Sequence, residues 1–212
     1  MMKMRSALRV TLMFAIIGLM ATLLVAYVQR ITLKTYQRNL PYITLGDDVR
    51  HKVTQAHLWF EEMLAGDKNL KLENDVIEPL TASLQILQGA YDGKPTELGV
   101  FEKAADEGIR VILKEAIIEN EKLIAAAQER WEGQKQLEAS VARDSAGNII
   151  PTAVEATGAL DQNFDAAYDK FQNTIDRLVN HVNLSIAADN IYLNTISWVS
   201  IALVLLGFAS IC

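Results

Sequence analysis

Twenty consecutive residues between Arg9 and Arg30, VTLMFAIIGLMATLLVAYVQ, carry no charge, and this stretch limits the fold more than any other feature. About 20 apolar residues cross the hydrocarbon core of a bilayer as a helix. Inside lipid every backbone polar group has to be paired within the segment, which leaves helix as the one conformation open to a single stretch. A cleaved secretory leader is the rival reading, because Lys3, Arg5 and Arg9 precede the run. The run is longer than a usual leader core, however, and no small-x-small cleavage pattern precedes Arg30. The sequence therefore predicts a short tail over residues 1–9 and a transmembrane helix over residues 10–29.

A second uncharged stretch follows Asp189, NIYLNTISWVSIALVLLGFASIC, and predicts a second transmembrane helix over residues 191–212. Tyr192 and Trp198 suit the water–lipid boundary, where amphipathic rings settle. Lysines and arginines nearly balance across the first segment, since Arg30, Lys34 and Arg38 oppose the three in the tail. A very short tail without acids, and the export of long loops largely regardless of charge, place residues 30–190 outside the cytoplasm. The expectation is a two-pass protein of the bacterial inner membrane with its central domain in the periplasm.

All 26 acidic residues lie between Asp47 and Asp189, and six of the 20 lysines and arginines precede that span, so the middle is strongly acidic. Without a basic cluster, no nucleic-acid partner is expected. The chain has one cysteine, Cys212, so it cannot close an intramolecular disulfide. Half the residues are hydrophobic, which excludes a disordered middle. Turn signals cut this middle into four helical segments: AGDKNL at 65–70, YDGKPTELG at 91–99 and RDSAGNIIP at 143–151. Pro41 is expected to kink or interrupt the first helix, and Pro79 to delay or bend the second. Short connections make neighbouring helices antiparallel, so the fold class is all-α: an up-down-up-down four-helix bundle flanked by two transmembrane helices.

Apolar residues mark each helix's inward seam. On helix 4 they are Phe164, Tyr168, Phe171, Ile175, Leu178 and Val182, and on helix 2 Ile77, Leu80, Leu84 and Leu87. Helix 3 has Ile109, Ile112, Ala116, Leu123 and Ala127, with a polar interruption at Glu119. Helix 1 reads Ile43, Gly46, Arg50, Val53, His57, Phe60 and Leu64, so Arg50 and His57 fall on the seam. Extending the other seams brings in Arg130 on helix 3 and Asp161 on helix 4. Counting from the helix ends puts His57, Arg130 and Asp161 at similar height, in the outer third. A buried charge is costly unless paired, so these residues pair with one another, pair with a ligand, or fix the bundle's register. Arg50, His57, Arg130 and Asp161 are the candidate ligand-binding residues. His57 and Glu61 stand one helical turn apart and could chelate, but two donors on one helix are a weak metal signal, and no metal or cofactor is expected. The Glu61–Glu62 pair reads as a solvated face, and His51 and His181 have no evident partners. With no nucleophile elbow, phosphate-binding glycine loop or cysteine pair, no enzyme is expected.

The segments AHLWFEEMLAGD on helix 1, AAAQERW late in helix 3 and LDQNFDAAYDKF opening helix 4, set between two membrane helices, resemble the periplasmic helical-bundle sensor regions of bacterial chemoreceptors, sensor histidine kinases and diguanylate cyclases. The resemblance implies a signal-transduction module, of the kind used in chemotaxis, that binds a small molecule or a periplasmic binding protein, forms a homodimer in the lipid bilayer, and transmits through its membrane helices to an output domain absent from this chain. The alternative is a structural or scaffolding membrane protein whose bundle binds another protein.

Overall fold

The structure, a computed structural model, describes residues 2–141 and 151–209. It is all-α. Among the described residues four α-helices follow one another: α1 (Met2–Leu64), α2 (Glu78–Asp92), α3 (Glu107–Val141) and α4 (Pro151–Ala209). A π-helical turn, Leu72–Ile77, leads into α2, and a two-residue hairpin, β1 (Pro95–Thr96) with β2 (Gly99–Val100), joins α2 to α3. The break expected at residues 143–151 lies almost wholly outside the described residues.

Local chemistry explains the ends. α1 closes with a Schellman arrangement: Gly66 N–H donates to Met63 O and Asp67 N–H to Glu62 O, with Gly66 at φ 108°, where a side chain would be strained. Pro79 sits in the first turn of α2, where its missing donor costs nothing. Asp106 caps α3, its carboxylate accepting the Ile109 N–H at 3.1 Å. Pro41 does not interrupt α1, which runs unbroken past it. A proline in a helix interior removes a hydrogen bond and crowds the preceding turn. Here Tyr42, Leu45 and Val49 are buried immediately after it, and that burial offsets the loss.

The chain divides into two compact units, residues 1–40 with 183–212, and residues 41–182. In the first, α1 contains a stretch apolar enough to cross a membrane, with mean hydropathy 1.8 and none of it buried. Leu12, Ile16, Leu19, Met20 and Leu23 are all exposed there. The second apolar stretch is helical through Ala209, and residues 210–212 lie outside the described residues.

The second unit is held by an apolar core. From α1 it takes Val49, Val53, Ala56 and Phe60; from α2, Leu80, Ile86 and Leu87; from α3, Ile109, Leu113, Ala116 and Leu123; from α4, Phe164, Phe171, Ile175 and Leu178. Contacts between α1 and α4 descend on one helix as they climb the other: Gly46 faces Val179, Arg50 pairs with Asp176, Thr54 meets Gln172, and Phe60 meets Phe164. These segments are therefore antiparallel. α3 and α4 show the same order, from His181 with Asp106, through Arg177 with Glu115, to Asp161 with Arg130.

One expectation about α1 is corrected. Its buried line is Tyr42, Gly46, Val49, Val53, Ala56, Phe60 and Met63, not Ile43, Gly46, Arg50, Val53, His57, Phe60 and Leu64. The shared positions hold, but the helix steps three residues from each rather than four. Arg50 and His57 thus flank the seam, half-buried, with apolar Val49 and Ala56 beneath them. On α2, likewise, Ser83 is buried and Leu84 only half-buried.

Candidate functional site

At the edge of the α1 seam, His57 and Glu61 lie one turn apart and face α4. Phe60, on the same turn but fully buried, meets Phe164 edge-to-face at 4.8 Å. This pair forms the floor of the site. His57 stacks on Phe164, centroids 5.3 Å apart and planes within 5°, and on Tyr168 at 4.1 Å. Its Nε2 lies 3.4 Å from Asp165 Oδ1. The imidazole is held by two rings and one carboxylate, all from α4.

Arg130 enters from α3. Its guanidinium carbon lies 5.2 Å from the Phe60 centroid and 5.3 Å from that of Phe164, so the cation rests on the same aromatic floor. Nη1 donates to Glu61 Oε1 at 2.5 Å, and Nη2 pairs with Asp161. The Arg130 side chain is only 11% exposed, whereas Glu61 and Asp161 are 42% and 46% exposed. Two carboxylates and two ring faces compensate the guanidinium's desolvation, and the acids keep much of their hydration. A polar band continues along α1 and α4, with Thr54 Oγ1 3.2 Å from the Tyr168 hydroxyl and accepting from Gln172 Nε2 at 3.1 Å.

His57, Arg130 and Asp161 are thus brought to one region. Arg130 and Asp161 are in contact, and His57 joins them through the shared Phe164 ring. Arg50 is not part of the site: it pairs with Asp176, and with Asp47 at 3.9 Å, further down α1. Glu61 is corrected from solvated face to ion-pair partner. Sequence reasoning missed Asp165, whose only signal was its place one turn after Asp161. His57, Glu61 and Asp165 each offer a donor atom within 4.8 Å of the other two, the third donor that helix 1 alone lacked.

Two further polar sites belong to the second unit. Glu119, the interruption on helix 3, is buried and holds Lys122 Nζ at 2.9 Å and Lys170 Nζ at 3.1 Å. Burial pushes its carboxyl up, but hydrogen bonds from both lysines outweigh that and hold it below its ordinary range. His181 is not partnerless: its Nε2 lies 3.0 Å from Asp106 Oδ1. Burial raises the Asp106 carboxyl, while the Ile109 N–H and His181 lower it by more, so it too sits below the usual range. Asn120, fully buried beside Glu119, has both side-chain atoms without a partner among the described residues. Comparison with protein-family models, curated proteins and solved structures finds no match to this chain.

Proposed function

We propose that the chain is the extracytoplasmic sensory module of a bacterial inner-membrane signalling receptor: an up-down-up-down four-helix bundle in the periplasm, carried on two transmembrane helices and working as a homodimer. The observation that carries this reading is Arg130, which ties Glu61 of α1 to Asp161 of α4 at a half-buried polar edge of the core. A solute that competes for the guanidinium or the imidazole acts on both helices at once, and these two helices also carry the apolar stretches. The hydroxyls in those stretches suit lipid. Thr22, Thr195, Ser197 and Ser200 each donate to the carbonyl four residues back, so none needs water. Ile191, Tyr192, Trp198, Val199 and Ile201 are exposed, as lipid-facing residues are.

Melting the purified full-length chain against a panel of amino acids, organic acids and aromatic solutes tests the reading. At least one class should raise the melting temperature, through the linkage of binding to stability. A response to none of them, nor to a metal ion, leaves a closed ion-pair network in a scaffolding protein.

A further inference from the structure

We propose that His57, Glu61 and Asp165 bind a divalent transition-metal ion, with zinc the best fit. The inference deepens the sensory reading and rests on it, since it names a ligand class for the same cluster.

Distance comes first. Two ligands about 2.0–2.1 Å from a tetrahedral zinc lie about 3.3–3.4 Å from each other. His57 Nε2 and Asp165 Oδ1 are 3.4 Å apart, and all three donor atoms fall within 4.8 Å of one another. The Glu61 carboxylate, 42% exposed, has freedom to close the remaining gap.

Donor chemistry narrows the ion. One imidazole nitrogen with two carboxylates suits zinc and its first-row neighbours, whereas calcium takes six to eight oxygens and magnesium keeps most of its waters. Asp165 is 55% exposed, so solvent can supply a fourth ligand. The other imidazole–carboxylate pair, His181 with Asp106, belongs to no such three-donor group among the described residues.

Charge supplies the reason an ion is wanted. Glu61 and Asp161 share a single guanidinium, Arg130, and the third acid, Asp165, lies on His57. With a neutral imidazole the cluster carries an excess of two negative charges at a half-buried position, which one divalent ion cancels. Arg130 holds both Glu61 oxygens, Oε1 at 2.5 Å and Oε2 at 3.4 Å, so an ion takes Oε2 by displacing the longer contact while Oε1 remains on the guanidinium. The aromatic stack on Phe164 and Tyr168 fixes the His57 ring before any ion arrives, so little ordering is left to binding.

The test is calorimetric titration of the full chain in detergent, tag-free and stripped with chelator, with zinc chloride as probe and magnesium and calcium chlorides as controls. A Cys212→Ser background removes a thiol that would bind zinc by itself. The expected result is one zinc per chain, a raised melting temperature, and no heat with magnesium or calcium. His57→Gln and Asp165→Asn should each weaken binding at least tenfold, and Arg50→Gln should leave it unchanged. Circular dichroism and metal-free melting of each variant establish that it is folded. Parental zinc affinity in folded His57→Gln or Asp165→Asn overturns the site, as does absence of zinc binding. If organic solutes stabilise the chain and zinc does not, the metal site falls and the sensory reading stands; if neither acts, both fall.

Discussion

Arg130 and His57 rest on one ring: the Phe164 centroid is 5.3 Å from the Arg130 guanidinium carbon and 5.3 Å from the imidazole centroid. A cation from α3 and an imidazole from α1 are positioned by the same residue of α4. Phe164→Leu should therefore disturb both. We expect a loss of about 1–2 kcal/mol from the cation–π and ring-stacking contacts, beyond any change in packing. Urea unfolding of Phe164→Leu alone and with Arg130→Met measures it. Additive losses would show that the ring does not couple to the guanidinium.

The ion-pair network should respond unequally to loss of its members. Arg130→Ala removes the one well-buried charge together with its packing on Phe60 and Phe164, and should cost about 2–3 kcal/mol. This is less than a fully buried pair, because the abandoned acids are close to half exposed. Asp161→Ala leaves Arg130 paired with Glu61 and should cost about 1 kcal/mol. Changing Asp161 and Glu61 together strands the guanidinium and should cost more than the two single changes summed. A double-mutant cycle by chemical denaturation decides this, and simple additivity would contradict the shared guanidinium.

Asp106 and Glu119 set an acid limit to stability. Both carboxyls are held below their ordinary values in the fold. A depressed folded pKa contributes stability that is fully present above the unfolded carboxyl range, around pH 4, and is lost as pH falls through the folded value. Urea midpoints should thus be level near neutrality and fall below about pH 4. Glu119→Gln should flatten that limb. Asp106→Asn should do the same while preserving the helix cap, since asparagine caps as well as aspartate. Lys52 acts at the opposite end: hydrogen bonding to Glu97 raises its amine, so its contribution is lost only as pH rises above the ordinary lysine range. An acid limb unchanged in both carboxyl variants would show that these two groups do not set it.

Two glycines should give opposite signs. A Cβ on Gly46 would sit 2.5 Å from Val179 Cγ2, a stiff β-branched neighbour, where α1 and α4 approach closely. Gly46→Ala gains about 1 kcal/mol of helix propensity but crowds a packed interface at about 1–3 kcal/mol, so a net loss is expected. Gly158, in α4, has open space around it, and Gly158→Ala should stabilise by about 0.5–1 kcal/mol. Thermal melts of the two variants compare them directly. Stabilisation by Gly46→Ala would mean that the helices separate there at little cost.

The proposed membrane arrangement makes its own prediction. A reporter active only in the cytoplasm, inserted between residues 144 and 148, should be silent, and a thiol cross-linker acting at Cys212 should trap a dimer. Reporter activity would overturn the periplasmic placement, and a persistent monomer the dimer.

Much of this protein was written in local chemistry. Helix content followed from apolar periodicity, the end of α1 from its glycine and aspartate, and the start of α2 from Pro79, because each depends on residues within a turn or two. The apolar α1 stretch was equally plain, since hydrophobicity needs no partner. On α3 and α4 the seams were legible because most inward positions were apolar, with Glu119, Asn120 and Thr174 the buried polar exceptions. On α1 they were not. From Gly46, Val53 and Phe60, a step of three and a step of four both keep a side chain near the inward face, so Val49 and Arg50, or Ala56 and His57, compete for one place. Only the neighbouring helices decided it, by burying the apolar member of each pair and leaving Arg50 and His57 at the rim. Partner choice was decided the same way. Glu61 found Arg130, His57 found Asp165, and Glu119 found Lys170 across more than 50 residues of chain in every case. An ion pair depends on distance in space, and sequence position bounds that distance only within a single helix.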